Sequence, residues 1–154
     1  MSKIAVGKQA PSFTLEGTGG RWSLAEAAGG NVVVYFYPRD NTSGCAQEGV
    51  SFSGAHAQFK KLKTLIRGIS PDSIQSHEKF KQKMKFTFEL LSDPDQKVCK
   101  LYDVIRENSM YGKKYMGVER STFLIDAKGI LREEWRKVKV NGHAEAVLAA
   151  VKAL

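Results

Sequence analysis

The sequence predicts an α/β fold, with a mixed central sheet and helices on both of its faces. Three observations point there. Asn31 to Tyr37 (Asn-Val-Val-Val-Tyr-Phe-Tyr) is a continuous apolar, β-branched and aromatic run, the pattern of a strand buried on both faces. After it, helix-like and strand-like segments alternate. Near the end of the chain, Ala127-Lys128-Gly129 joins two strand-like segments with glycine at the tight position, a hairpin signal.

The elements follow in order. Pro38 ends the central strand, and Arg39-Asp40-Asn41-Thr42-Ser43-Gly44 is rich in turn formers. A helix is predicted from about Cys45 to Lys63, with Val50, Phe52, Phe59 and Leu62 facing inward. Thr64 to Ser70 reads as the next strand. Asp72 and Ser73 are good N-caps for a helix running to about Lys85. Phe88 to Ser92 is a short strand, Asp93-Pro94-Asp95 a turn, and Gln96 to Tyr102 a short helix. Asn108 to Val118, rich in glycine and tyrosine, reads as a loop. Its Met110, Tyr111, Tyr115 and Met116 are expected to cap the core, with the lining of an active-site entrance as the other reading. Arg120 to Asp126 and Ile130 to Val138 form the hairpin strands, and the alanine-rich segment from His143 to Leu154 closes the chain as a helix.

Bulk properties set the limits. A chain of 154 residues is the size of one domain, read as spanning 1–154, and no repeat, low-complexity stretch or linker divides it. Its 42% hydrophobic and 26% charged residues suit a soluble globular protein. No apolar run approaches the roughly 20 residues that span a bilayer. Met1-Ser2-Lys3-Ile4-Ala5-Val6-Gly7 lacks the apolar core of a signal peptide, so the expected location is the cytoplasm, with no membrane association. The net charge of +8 would attract anions and nucleic acid non-specifically. The basic residues are dispersed, however, and Lys79, Lys81, Lys83 and Lys85 spread over a helix circumference, so a solvated face is the reading taken and no specific nucleic-acid partner is expected. His56, His77 and His143 stand alone without ligand spacing, so no metal is expected. No phosphate loop or dinucleotide fingerprint appears, so no cofactor is expected.

Two cysteines, Cys45 and Cys99, are too few for a disulfide scaffold, and free thiols are either buried filler or chemistry. Cys45 follows a central strand at the start of a helix, where free N–H groups and the helix dipole favour the thiolate, the reactive form. Taken by itself it could equally be a small buried residue at a helix start. Thr42 stands three residues earlier, where a Cys-x-x-Cys redox motif would carry its first cysteine. A hydroxyl there can polarise a ligand or cap the helix, but it cannot form a disulfide. Gly44 would let the backbone approach a small ligand closely.

The stretch Phe36-Tyr37-Pro38-Arg39-Asp40-Asn41-Thr42-Ser43-Gly44-Cys45 resembles the peroxiredoxin signature Pro-x-x-x-Thr/Ser-x-x-Cys. Val6 to Leu15, Gly68 to Ser73, Leu90 to Asp95 and Arg120 to Asp126 extend the likeness, in order, to the bacterioferritin-comigratory (peroxiredoxin Q) branch over essentially the whole chain. The resemblance implies a thioredoxin-like fold with an N-terminal extension and a thiol-dependent peroxidase. Cys45 would be the peroxidatic thiolate and Thr42 would hydrogen-bond the peroxide. Arg120 would set a guanidinium near the sulfur, and Pro38 would shield the site from water. The implied partners are a peroxide and a thiol reductant such as thioredoxin, glutaredoxin or glutathione, with the chain acting as a monomer.

The match departs at the second half of the cycle. In this branch a resolving cysteine often lies five residues after the peroxidatic one, or in the next helix; those positions are Val50 and Lys81 here. Two routes stay open: an external thiol attacks a Cys45 sulfenic acid, the preferred reading, or Cys99 resolves it. Ser43 replaces the proline common in the branch, from which a more mobile loop is expected. Two rival functions remain. A thiol–disulfide oxidoreductase on the same fold is disfavoured by the lack of Cys-x-x-Cys. A non-enzymatic basic nucleic-acid-binding or holdase module rests on charge alone and predicts salt-sensitive binding that survives Cys45→Ser.

Overall fold

The computed structural model describes residues 4–154, without the side chains of 108–110. The first residues of the leader reading, Met1 to Lys3, and the side chain of Met110 lie outside the described residues. The order is β1 (Thr14–Gly17), β2 (Trp22–Ser23), β3 (Asn31–Phe36), α1 (Ser43–Lys61), β4 (Thr64–Ser70), α2 (Ile74–Met84), β5 (Glu89–Ser92) and α3 (Lys97–Leu101). Then come β6 (Ile105–Met110), β7 (Lys113–Val118), β8 (Ser121–Ile125), β9 (Leu131–Trp135) and α4 (His143–Lys152). Seven strands form one sheet in the order β2-β1-β5-β4-β3-β8-β9. β3, β4 and β5 run parallel, whereas β1, β8 and β9 are antiparallel to their neighbours.

Strand β3 divides the interior. Val33 and Tyr35, with Tyr37 beyond its end, face a core shared with α1, α2 and α4; Val32, Val34 and Phe36 face a core shared with α3 and the N-terminal segment. Alternate residues of a strand point to opposite faces, and all six are buried. This is why the run carries no polar alternation. On α1, Phe52 and Phe59 are fully buried and Leu62 packs partly on the same core. Val50, expected to face inward, is 46% exposed: the inward stripe of α1 is Cys45, Glu48, Gly49, Phe52, His56 and Phe59. Gly49 has a packing reason, since a Cβ there would lie 2.2 Å from the Phe86 ring. Helix α2 starts as its sequence signals, with the Ser73 side chain accepting from the Ser76 N–H at 3.1 Å.

The expected loop over 108–118 is instead the paired strands β6 and β7. Tyr111 (φ 54°) and Gly112 (φ 77°) make a two-residue turn with both φ values positive, the geometry that matches strand twist. The expectation that Tyr111, Tyr115 and Met116 cap the core is also overturned. Tyr111 is 97% exposed, and the other two are exposed on the hairpin. No helix among the described residues is long and apolar enough to cross a membrane.

Candidate active site

Cys45 lies in the first turn of α1, directly after the loop that leaves the buried end of β3. Thr42 occupies the N-cap position with extended backbone (φ −88°, ψ 151°), and the first helical bond runs from the Ala46 N–H to the Thr42 carbonyl at 2.9 Å. The N–H groups of Ser43, Gly44 and Cys45 therefore precede the hydrogen-bond ladder, as at any helix start. The Thr42 hydroxyl makes no side-chain cap; it donates to the Arg39 carbonyl at 3.0 Å.

The Cys45 side chain is buried at 2% exposure. Arg120, just before β8, reaches it across the β3–β8 pairing: Nη2 donates to Sγ at 3.2 Å, while Nη1 donates to Glu48 Oε1 at 2.5 Å. One guanidinium thus bridges the sulfur and a buried carboxylate, the fork geometry that suits arginine rather than lysine. Burial works against the charge on Arg120, but Glu48 and Cys45 together outweigh it and hold the guanidinium above its ordinary pKa. Gly44 has a different reason from the one the sequence suggests: a Cβ there would lie 3.1 Å from Arg120 Nη2, so glycine leaves room for the guanidinium.

Glu48 was not singled out from the sequence. It lies three residues after Cys45, on the same helical face, and a carboxylate on an otherwise apolar stripe was the available signal. It is 1% exposed, and burial pushes its carboxyl up to about 7 against the opposing charge and hydrogen bond of Arg120. Its Oε2 has no hydrogen-bond partner among the described residues. Because the folded-state value is raised above the ordinary 4.5, the folded protein binds this proton more tightly than the unfolded chain. That contribution to stability is complete below about pH 4.5 and is lost as pH rises through about 7. We expect Glu48→Gln to gain stability relative to the parent between pH 5 and pH 8, by at most about 3 kcal/mol. Urea unfolding of both proteins at the two pH values checks this; parallel pH dependences would contradict it.

Pro38 is exposed and lines an open cleft of about 480 Å³ with Val118, Arg120, Lys137 and Val138. Pro38, Thr42 and Cys45 thus lie along the β3–α1 junction, and Arg120, which lines the cleft with Pro38, reaches Cys45. Cys99 does not join them. It is fully buried in the core on the opposite face of the sheet from Cys45. Burial, followed by the adjacent Asp93, pushes its thiol well above the ordinary range, so the thiolate is disfavoured there. Asp93 also accepts the Cys99 N–H at 2.8 Å. Lys81, one of the two positions at which the resemblance leads one to expect a resolving thiol, is paired with Glu89 at 2.8 Å. The three histidines lie apart. His56 meets Thr87, His143 meets Thr122, and His77 meets Asp40. Among the described residues, no group of three or more His, Cys, Asp or Glu is arranged to hold a metal ion.

Comparison with known proteins settles the family, for the model of the AhpC/TSA family matches residues 6–134. The chain belongs to this family, the peroxiredoxins. Peroxiredoxin Bcp of Xanthomonas campestris pv. campestris is 49% identical over 135 residues, covering 88% of this chain and 84% of that protein. A solved structure of the X. campestris bacterioferritin comigratory protein, described in connection with alkyl peroxide reduction and a trapped intermediate/ligand complex, superposes with a TM-score of 0.87. It is 47% identical, with 92% of this chain and 90% of that one covered. A yeast mitochondrial 1-Cys peroxiredoxin, described in terms of resolution by glutathione and thioredoxin systems, superposes at a TM-score of 0.83. It is 25% identical and covers 97% of this chain and 76% of that one. This peroxiredoxin falls in the bacterioferritin-comigratory, or peroxiredoxin Q, branch, has the thioredoxin-like fold and is a thiol-dependent peroxidase.

Proposed function

We propose that Cys45 is the peroxidatic nucleophile of this peroxiredoxin and that an external thiol regenerates it. The observation that carries the reading is the Arg120 fork, with one nitrogen 3.2 Å from Cys45 Sγ and the other on Glu48. The Cys45 thiolate attacks one peroxide oxygen; an S–O bond forms, the O–O bond breaks, and the other oxygen leaves as alkoxide or hydroxide and takes a proton. Charge builds on that leaving oxygen, so donors already aimed into the site lower the barrier. Arg120 and the free N–H groups at the start of α1 are those donors. Thr42 rotates its hydroxyl from Arg39 to the peroxide, and Pro38 walls the cleft against water. The product is Cys45 sulfenic acid, with sulfur oxidised by two electrons. One reductant thiol condenses with it to a mixed disulfide, releasing water, and a second thiol displaces Cys45 and leaves as the oxidised disulfide.

The substrates are hydrogen peroxide and organic hydroperoxides, in line with the alkyl peroxide reduction described for the X. campestris relative. The reductant is a thiol such as thioredoxin, glutaredoxin or glutathione; glutathione and thioredoxin systems are those described for the yeast 1-Cys neighbour. We read residues 1–154 as one domain acting as a monomer in the reducing cytoplasm, where such thiols are supplied. The recycling route draws support from Cys99, whose burial on the other face of the sheet keeps it from Cys45 unless a core opens. Cys99→Ser is therefore expected to keep glutathione- or thioredoxin-dependent turnover within about twofold. Collapse of turnover in that variant, with peroxide attack on Cys45 intact, would make Cys99 the resolving thiol.

A further inference from the structure

A buried polar cluster beside the active site takes no part in the chemistry above. Asp40, in the loop between β3 and α1, is 5% exposed, and three donors converge on its carboxylate: Tyr37 Oη, Ser76 Oγ and His77 Nδ1, each at 2.7 Å. Its backbone N–H donates to Asp72 Oδ2 at 2.7 Å. His77, on α2, is fully buried, and its other nitrogen, Nε2, lies 2.8 Å from the Leu91 carbonyl on β5. A carbonyl only accepts, so the Leu91 contact suits a proton on Nε2, and Nδ1 faces Asp40. Ring and carboxylate together form a desolvated pair that ties the loop to α2 and β5. The remaining loop residues, Pro38, Arg39, Asn41 and Thr42, are exposed, so Asp40 is the buried side chain through which the loop 38–42 is anchored.

That anchor bears on the catalytic cycle. A peroxide is small, but a reductant thiol must reach a sulfur that is 2% exposed, so the loop and first turn of α1 have to open for recycling. We propose that the Asp40–His77 pair is the latch that sets how often the Cys45 segment opens, balancing peroxide attack in the closed form against thiol access in the open one. Both are positioning residues that act through Cys45. The inference rests on Cys45 being the peroxidatic thiol.

The full chain supplies its own control. Cys99, fully buried in the opposite core, reports opening of the whole fold, whereas Cys45 reports opening of the loop. Under native conditions, labelling of each thiol by a bulky maleimide is followed by peptide mass spectrometry in the parent and in Asp40→Ala. Removing one member of a buried pair favours the local open state. The expected result is an increase of at least about tenfold in Cys45 labelling with Cys99 unchanged. The second-order rate with peroxide is expected to fall, while the KM for the thiol reductant falls too. Ser76→Ala removes one donor and leaves the pair, so it covers the case of a poorly folded Asp40→Ala; it is expected to shift Cys45 labelling the same way by about twofold to fivefold. Equal acceleration of both cysteines would mean that the pair only supports the fold, and unchanged Cys45 labelling would mean that it latches nothing; either result overturns the proposal. Loss of the Cys45 assignment itself is read separately, as peroxide consumption that survives Cys45→Ser, and leaves the labelling ratio interpretable.

Discussion

Replacing Cys45 by serine is expected to reduce peroxide consumption to the uncatalysed rate while the protein stays folded. Sulfur can climb the oxidation ladder by accepting an oxygen atom. A hydroxyl in its place is neither ionised at neutral pH nor able to store the two electrons. The structural cost is small. Serine has nearly the shape of cysteine, and its Oγ would still accept from Arg120 Nη2, which now donates to Sγ at 3.2 Å. The stability change should stay within about 1 kcal/mol, the net worth of a typical hydrogen bond. Stopped-flow peroxide consumption with thermal unfolding of the same sample separates the two effects. Full activity in the folded variant would remove Cys45 from the mechanism and revive the basic-module reading.

The second large effect is expected at Arg120. Arg120→Met keeps an unbranched stem in a half-buried site but removes both arms of the fork, from Cys45 and from Glu48. Loss of one preorganised donor to developing charge typically costs about 10²–10³ in rate, and that range is expected for the second-order reaction with peroxide. Arg120→Lys keeps the charge but supplies a point donor that cannot hold both partners in one plane, so its rate should fall between those of the parent and Arg120→Met. A further consequence is specific to this site. Without the guanidinium, the Glu48 carboxyl loses the charge and hydrogen bond that now oppose its burial, so it is driven further toward the neutral form. A loss smaller than about tenfold in Arg120→Met would assign Arg120 to structural pairing with Glu48 alone.

Much of this was legible in the chain because local and global signals agree. β3 announces itself since residues on both of its faces are buried, and α2 since Ser73 caps it as its residue type suggests. The helix-start position of Cys45 was legible from its place after the central strand, and the approach of Arg120 to it from the resemblance. The β6–β7 hairpin was hidden because its strands carry charges on exposed faces and its turn uses Tyr111 where asparagine would have signalled positive φ. Val50 misled because an apolar residue need not face inward, and burial is decided by helical phase rather than by type. Glu48 and the Asp40–His77 pair were missed for a different reason. Their meaning lies in partners 72 and 37 positions away, brought close only when β8 pairs with β3 and α2 packs beside the loop.

The most direct test of the central claim is the mass of the protein after one equivalent of peroxide in the absence of any thiol, with the modified residue located by peptide mapping. A Cys45 that waits for an external reductant predicts a gain of about 16 Da at Cys45, removable by added glutathione or thioredoxin. A loss of about 2 Da with Cys45 joined to Cys99, or oxidation confined to Cys99, would contradict it.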